Sequence, residues 1–129
     1  LGVCSIAVAG VQRLVEEHGR QVGDEVVETV ARRLSAAVRH RDVVVRLGEN
    51  EFGLILVGAE SAAVVDAVAK RALARITEPI DIGSRRIILP ASIGATYDPA
   101  GGAVRELIER ADGALATAKE RGPRQVVHS

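Results

Sequence analysis

The chain has 129 residues, enough for one domain built around one core. It carries 17 basic and 17 acidic side chains, so bulk charge excludes a general nucleic-acid or membrane-surface binder. One Tyr (Tyr97), one Phe (Phe52) and no Trp leave nothing from which to build a stacking platform for bases.

The single cysteine, Cys4, lies in an apolar run, where it can close no internal disulfide and form no metal cluster. It reads as a small buried residue of a reducing compartment. No apolar run reaches the roughly 18 residues that a membrane span requires, and no signal peptide is visible. The chain starts at Leu1 and contains no Met. Residues 1–129 are therefore expected to be a single domain cut from a longer multidomain protein. The expected placement is cytoplasmic, with any membrane attachment made through regions outside this fragment.

In chain order, Val3 to Val11 is a continuous apolar run, as in a strand buried on both faces. "QRLVEEHG" follows as a short helix ending at Gly19. Gly23-Asp24 then opens a longer helix, with Asp24 as the capping acid of its first turn. Val26, Val27, Val30, Ala31, Leu34 and Val38 give that helix one apolar face. "VVVRLGENEFGLILV", from Val43 to Val57, reads as a hairpin whose tip is acidic.

Ser61 to about Ile76 is another amphipathic helix, with Val64, Val65, Val68, Ala72, Leu73 and Ile76 facing in. "PIDIGSRRIILPASIGATYD" reads as two strands joined at Gly83-Ser84, with Pro90 marking an edge or bulge in the second. Val104, Leu107, Ile108, Ala111, Ala114, Leu115 and Ala118 line a last helix that stops near Gly122-Pro123. "RQVVH" closes the chain as a short strand. The order β-α-α-β-β-α-β-β-α-β contains an antiparallel hairpin, which excludes a simple doubly wound parallel sheet. It predicts an α+β fold of the split-βαβ kind, a mainly antiparallel sheet flanked by helices.

Four pieces of the chain, in register, carry a resemblance. They are Gly19-x-x-x-Gly23-Asp24, Asp42 followed by "VVVRLGENEF", "SIGAT" from Ser92 to Thr96, and "ADGALATAKERG" from Ala111 to Gly122. Together they are similar to the GGDEF domain of diguanylate cyclases, from about Leu1 to Val126. The resemblance implies the nucleotidyl-cyclase-like, ferredoxin-like palm fold. It also implies a chemistry in which two GTP molecules, one on each of two facing domains, are joined into cyclic di-GMP. In that chemistry a 3′-hydroxyl attacks an α-phosphorus with the help of two divalent cations held on carboxylates.

The residues that this chemistry would use are largely replaced. The five signature positions read Gly48-Glu49-Asn50-Glu51-Phe52, so Gly48, Glu51 and Phe52 are retained. Glu49 puts a carboxylate where backbone would approach phosphate. Asn50 stands in place of the metal-binding acid. The first-strand metal position is Ala7, with Ala9 at the second Asp of that pair. The position of the guanine-reading Asn is Val15, and that of a phosphate-contacting Arg is Pro123. Asp24, guanine's second partner, and Lys119, a phosphate contact, remain as relics of a GTP site. The resemblance thus implies a catalytically degenerate domain with no metal site and no resident cofactor, Mg²⁺ entering only alongside residual GTP binding.

A second feature is retained. Arg39-His40-Arg41-Asp42 stands where the family's product-binding inhibitory site carries Arg-x-x-Asp. Arg offers a planar fork for phosphate or for the O6/N7 edge of guanine, and Asp accepts from guanine N1 and N2. Arg71 or Lys70 would complete such a site. The bland alternative is that Arg39 and Arg41 complement the end of the helix dipole while Asp42 pairs with one of them. His18, His40 and His128 show no metal-ligand spacing, and Ser92 lacks a His base signature.

The reading is therefore a degenerate GGDEF-like domain that binds cyclic di-GMP through Arg39 and Asp42, either bridging two copies as a homodimer or fixing the orientation of neighbouring domains. The alternatives are a scaffold that binds no nucleotide and a weak diguanylate cyclase.

Overall fold

β1 (Gly2–Val8) runs through the middle of a five-stranded sheet, and all seven of its residues are buried. The computed structural model describes residues 1–129. Alternate side chains of β1 serve two cores. Cys4, Ile6 and Val8 enter a large cluster, whereas Val3 enters a smaller one on the other face with Leu107 and Ala111. Burial on both sides is why this segment reads as a continuous apolar run rather than an alternating one.

The strand stops at Val8 rather than Val11. Gly10 takes a left-handed φ of 86°, and Val11 instead opens α1 (Val11–His18). Gly19 ends α1 and at once precedes α2 (Arg20–Ala37). Gly23-Asp24 therefore lies inside α2, and Asp24 is not its cap. Gly23 serves packing instead. A Cβ there would run into Cγ2 of Val15, so its absence lets α1 and α2 cross closely.

β2 (Val43–Arg46) and β3 (Glu51–Leu56) form the expected antiparallel hairpin. α3 (Ala62–Ile76) starts at Ser61, whose side-chain oxygen accepts the Val64 N–H at 3.1 Å. Val65, Ala69, Ala72 and Ile76 face the core, whereas Val64 is exposed.

The segment from Pro79 to Asp98 gives three strands rather than two. β4 (Ile80–Ile82) and β5 (Arg85–Ile87) make a separate two-stranded sheet, and β6 (Ala91–Tyr97) joins the main one. Pro90 falls at the break: it has no N–H to give a ladder, and its carbonyl accepts from Ala9 N–H at 2.8 Å. α4 (Val104–Glu120) and β7 (Val126–His128) complete the chain.

The main sheet has the order β2-β3-β1-β6-β7. β3 lies between β1 and β2 and is antiparallel to both, the split-βαβ arrangement, and only β7 pairs in parallel. α1, α2 and α3 supply the large core on one face. α4 packs on the other face, across β1 and β6. No helix is long and apolar enough to cross a membrane.

Two arginines tie α2 to α3 reciprocally. From α2, the Arg33 guanidinium donates to the carbonyls of Glu78 at 2.6 Å, Pro79 at 2.8 Å and Arg75 at 3.3 Å. From α3, Arg71 donates twice to the Ala37 carbonyl, at 3.0 and 2.7 Å. Arg71 thus satisfies the last carbonyl of α2, and Arg33 binds the end of α3 and the segment that follows it.

The C-terminal strand meets α3 at Asp66. Asp66 accepts from Lys70 at 2.8 Å and lies 3.2 Å from His128 Nε2 on β7. The Lys70 hydrogen bond, then the Lys70 and His128 charges, hold the Asp66 carboxyl below its ordinary value of 3.8, against the opposing effect of burial. A carboxyl whose folded pKa is depressed stabilises the fold above its unfolded pKa, and loses that contribution as pH falls through the folded value. Wild type should therefore lose more stability than Asp66→Asn when urea unfolding is followed from pH 5 down to about pH 2. Parallel pH profiles for the two proteins would refute this.

Candidate functional site

The resemblance points to two places, and the fold puts a cleft at each. The first, of about 410 Å³, opens at the ends of β1 and β6, beside the hairpin tip and the end of α4; Ala7, Ala9, Asn50, Ser92, Lys119 and Pro123 are among its lining. Ala7 and Asn50 do converge here, as expected of the two positions matching the family's metal anchors. Asn50 is exposed at the hairpin tip yet tied to β1: its Nδ2 donates to the Val8 carbonyl at 3.0 Å, and the Val8 N–H donates to the Asn50 carbonyl at 3.0 Å. The hairpin tip is thereby latched to the end of β1.

The other tip residues also have partners. Arg46 donates to the carbonyls of Gly48 and Glu49, each at 2.9 Å. Glu49 lies 3.6 Å from Arg20, and Glu51 lies 3.7 Å from Lys119. These pairs are half exposed and each contributes little to stability, but the second partly neutralises Lys119, the one cation lining the cleft.

The donor set does not suit Mg²⁺, which needs several oxygen ligands, carboxylates among them. Ala7 offers none, Asn50 offers only a neutral amide oxygen, and Glu51 faces the Lys119 ammonium. No three His, Cys, Asp or Glu side chains cluster anywhere in the structure. Asp24 is not part of this cleft; it lines a different groove with Glu28 and Arg46, beside β2. Val15 is packed on Gly23.

The second cleft, of about 230 Å³, lies where the end of α2 meets α3 and the end of β3. Its rim carries Arg39, Asp42 and Arg71, and its walls include Leu56, Val64 and Val68. The tetrapeptide closes on itself: Asp42 Oδ2 accepts the Arg39 N–H at 3.0 Å, and the Asp42 N–H donates to the Arg39 carbonyl at 3.0 Å. This turn brings both side chains to one opening and leaves the Arg39 guanidinium without a hydrogen bond or ion pair. Asp42 does not make the arginine ion pair of the bland alternative.

Lys70, the other candidate, is paired with Asp66 and does not line the cleft. His40 is exposed and also lies outside the lining.

Several contacts escape a reading of residue types and spacing. Ser5 is buried on β1 and donates to Asp112 of α4 at 2.6 Å, which gives the Asp of "ADGALATAKERG" a structural partner. The bond between Asn50 and Val8 and the commitment of Arg71 to Ala37 depend on orientation, which sequence spacing does not encode. Cys4 is fully buried and its thiol is pushed up to about 12, first by burial and then by the nearby Asp66 charge, so it supplies no nucleophile.

Comparison with known proteins agrees with this geometry. The family described as "Diguanylate cyclase, GGDEF domain" matches residues 1–125. The bifunctional diguanylate cyclase/cyclic di-GMP phosphodiesterase MucR of Pseudomonas aeruginosa is 34% identical over 114 residues, which is 88% of this chain and 16% of that protein. The cyclic di-GMP phosphodiesterase PdeR of Escherichia coli is 29% identical over 123 residues, covering 95% of this chain and 18% of its own length. The chain thus spans under a fifth of the length of either relative.

Among solved structures, an EAL/GGDEF domain protein from M. capsulatus superposes with a TM-score of 0.89 at 30% identity, covering 98% of this chain and 83% of that one. The isolated GGDEF domain of YfiN from Pseudomonas aeruginosa gives a TM-score of 0.91 at 25% identity, covering 98% of this chain and 75% of that one. With the split-βαβ sheet, the hairpin between β2 and β3, and a family match running through almost every residue, the chain belongs to the GGDEF domain family.

Proposed function

We propose that this domain is a catalytically degenerate GGDEF module that receives cyclic di-GMP at the cleft of Arg39 and Asp42 rather than synthesising it. The observation that carries the reading is the convergence of Arg39 and Asp42 on one cleft with apolar walls. The relative MucR, by its name, both makes and degrades cyclic di-GMP, which supports a place in that signalling system.

The chemistry of the cleft suits one guanine unit. Asp42 Oδ2 takes the Arg39 N–H, which leaves Oδ1 to accept from guanine N1 and N2. The Arg39 fork is free for a phosphate or for the O6/N7 edge. Leu56, Val64 and Val68 offer apolar surface to the purine face. The first cleft offers GTP much less. Ala7 and Asn50 supply no carboxylate to a cation, and Glu49 adds negative charge near a triphosphate's approach. No step of a cyclase reaction is assigned to it, and no cofactor is required.

Calorimetric titration of cyclic di-GMP, with GTP and Mg²⁺ as the control, tests the proposal. Saturable binding that weakens by at least about tenfold in Arg39→Ala is expected, the scale of a lost charge-assisted bidentate contact. Conversion of GTP to cyclic di-GMP would overturn the non-catalytic half. Absence of heat with either nucleotide would sink the receptor half and leave a scaffold.

A further inference from the structure

The bond between Asn50 and Val8 carries a further inference, and it does not depend on what the second cleft binds. β1 and β3 pair antiparallel, with Ala7 opposite Glu51. The next step of that register sets Val8 opposite Asn50. A regular hydrogen-bonded pair there would exchange two backbone bonds. One of them is present: the Val8 N–H donates to the Asn50 carbonyl at 3.0 Å. The other comes from the side chain, because Asn50 Nδ2 donates to the Val8 carbonyl at 3.0 Å, in the place of a backbone N–H. Asn50 thus completes the rung with its own amide, and the ladder reaches one residue beyond the end of β3.

We propose that Asn50 is a structural latch that holds the hairpin tip against the end of β1 with no ion between them. Ala7 and Asn50, the positions matching the family's metal anchors, do not suit Mg²⁺, yet the two segments that carry them are joined. An N–H presents the positive end of a dipole to the Val8 carbonyl, as a cation would, without a charge to desolvate. An acid does not suit this place. The carboxylate of Asp has the shape of Asn but no donor, so it would set an oxygen against the Val8 carbonyl. An acid at position 50 therefore opens the tip instead of anchoring it.

The other ties of the tip do less. Glu49 with Arg20 and Glu51 with Lys119 are half-exposed ion pairs at 3.6 and 3.7 Å. The bonds from Arg46 to Gly48 and Glu49 stay within the hairpin.

The test compares wild type, Asn50→Ala and Asn50→Asp in two measurements. Amide exchange resolved by NMR is expected to quicken about tenfold at Val8 in Asn50→Ala, the scale of one lost hydrogen bond, and further in Asn50→Asp at pH 7. The second measurement is the urea midpoint of Asn50→Asp relative to wild type as a function of pH. A carboxylate facing a carbonyl has its pKa raised in the folded state. The variant's deficit is then small below the unfolded pKa, where the acid O–H donates in place of the amide, and grows as pH rises through the folded value. Arg20, Arg46, Glu49, Glu51 and Lys119 surround the tip in both proteins, so the difference reports position 50. Between pH 7 and about pH 3 the gap should close by roughly half or more.

Wild-type exchange at Val8 in Asn50→Ala would show that the side chain does not hold the tip, and would overturn the proposal. A midpoint gap of zero, or one that ignores pH, would mean that the missing donor is not the cause and would overturn it as well. So would slower wild-type exchange at Val8 and residues 48–51 on adding millimolar Mg²⁺, because a tip already latched has no place for the ion.

Discussion

Alanine at position 94 should cost about 3 kcal/mol or more, at the top of the range for overpacking a core. Gly94 sits in the middle of β6, where α4 crosses the sheet. A Cβ there would collide with Leu115 N and Ala111 O, and would lie 2.7 Å from Ala114 C. All three are helix backbone, which cannot rotate away as a side chain could. The helix would have to lift off the sheet, loosening Leu107 and Ala111 from Val3 and lengthening the bond from Ser5 to Asp112. A domain of this size has a total stability of about 5–15 kcal/mol, so the loss is a large fraction. Urea unfolding followed by circular dichroism measures it, and a Gly94→Ala midpoint equal to wild type would refute the close packing described.

The second large effect is expected at Phe52. This last residue of the signature stretch is 2% exposed and belongs to the large core, on the face covered by α1, α2 and α3. Phe52→Ala removes the only phenylalanine and leaves a cavity between β3 and the helices. A cost of about 3–5 kcal/mol is expected. Phe52→Leu, which restores most of the volume, should cost roughly 1.5 kcal/mol or less. A ratio near one between the two losses would mean that Phe52 acts through something other than packing. The signature motif thus mixes two kinds of residue, a tip held by hydrogen bonds and an anchor that the core requires.

The fold was legible where periodicity carried it. The apolar stripes of α2, α3 and α4 and the hairpin between β2 and β3 each announce a buried face, and the structure supplies it. Boundaries were less legible, because they depend on single backbone conformations. Gly10 at positive φ ends β1 early, and Gly19 allows α2 to begin before Gly23-Asp24. An acid such as Asp24 suits the inside of a helix as well as its start, so its type could not settle the boundary. The extra break at Pro90 was hidden for a similar reason: a proline marks an interruption without saying whether the strand bulges or divides.

The candidate clefts were legible by position and opaque by orientation. Register on the resemblance brought Ala7 to Asn50, and Arg39 to Asp42. It could not tell that Asn50 turns back onto Val8, that Arg71 faces Ala37, or that Lys70 is taken by Asp66. Each of those depends on a rotamer chosen by neighbours distant in sequence.

The place of β1 in the sheet has a consequence for how the chain acquires its structure. Both neighbours of this strand come later in sequence, and its N-terminal end is held by Asp98, 97 positions away. Within this domain β1 is made before either partner, with an apolar surface on both faces; one edge waits for β3 and the other, much longer, for β6. Such distant pairing slows folding and lengthens the time for which a sticky strand is exposed. The α1–α2 segment, made next and stabilised locally, can shelter one face of β1 meanwhile; the other stays open until α4 arrives.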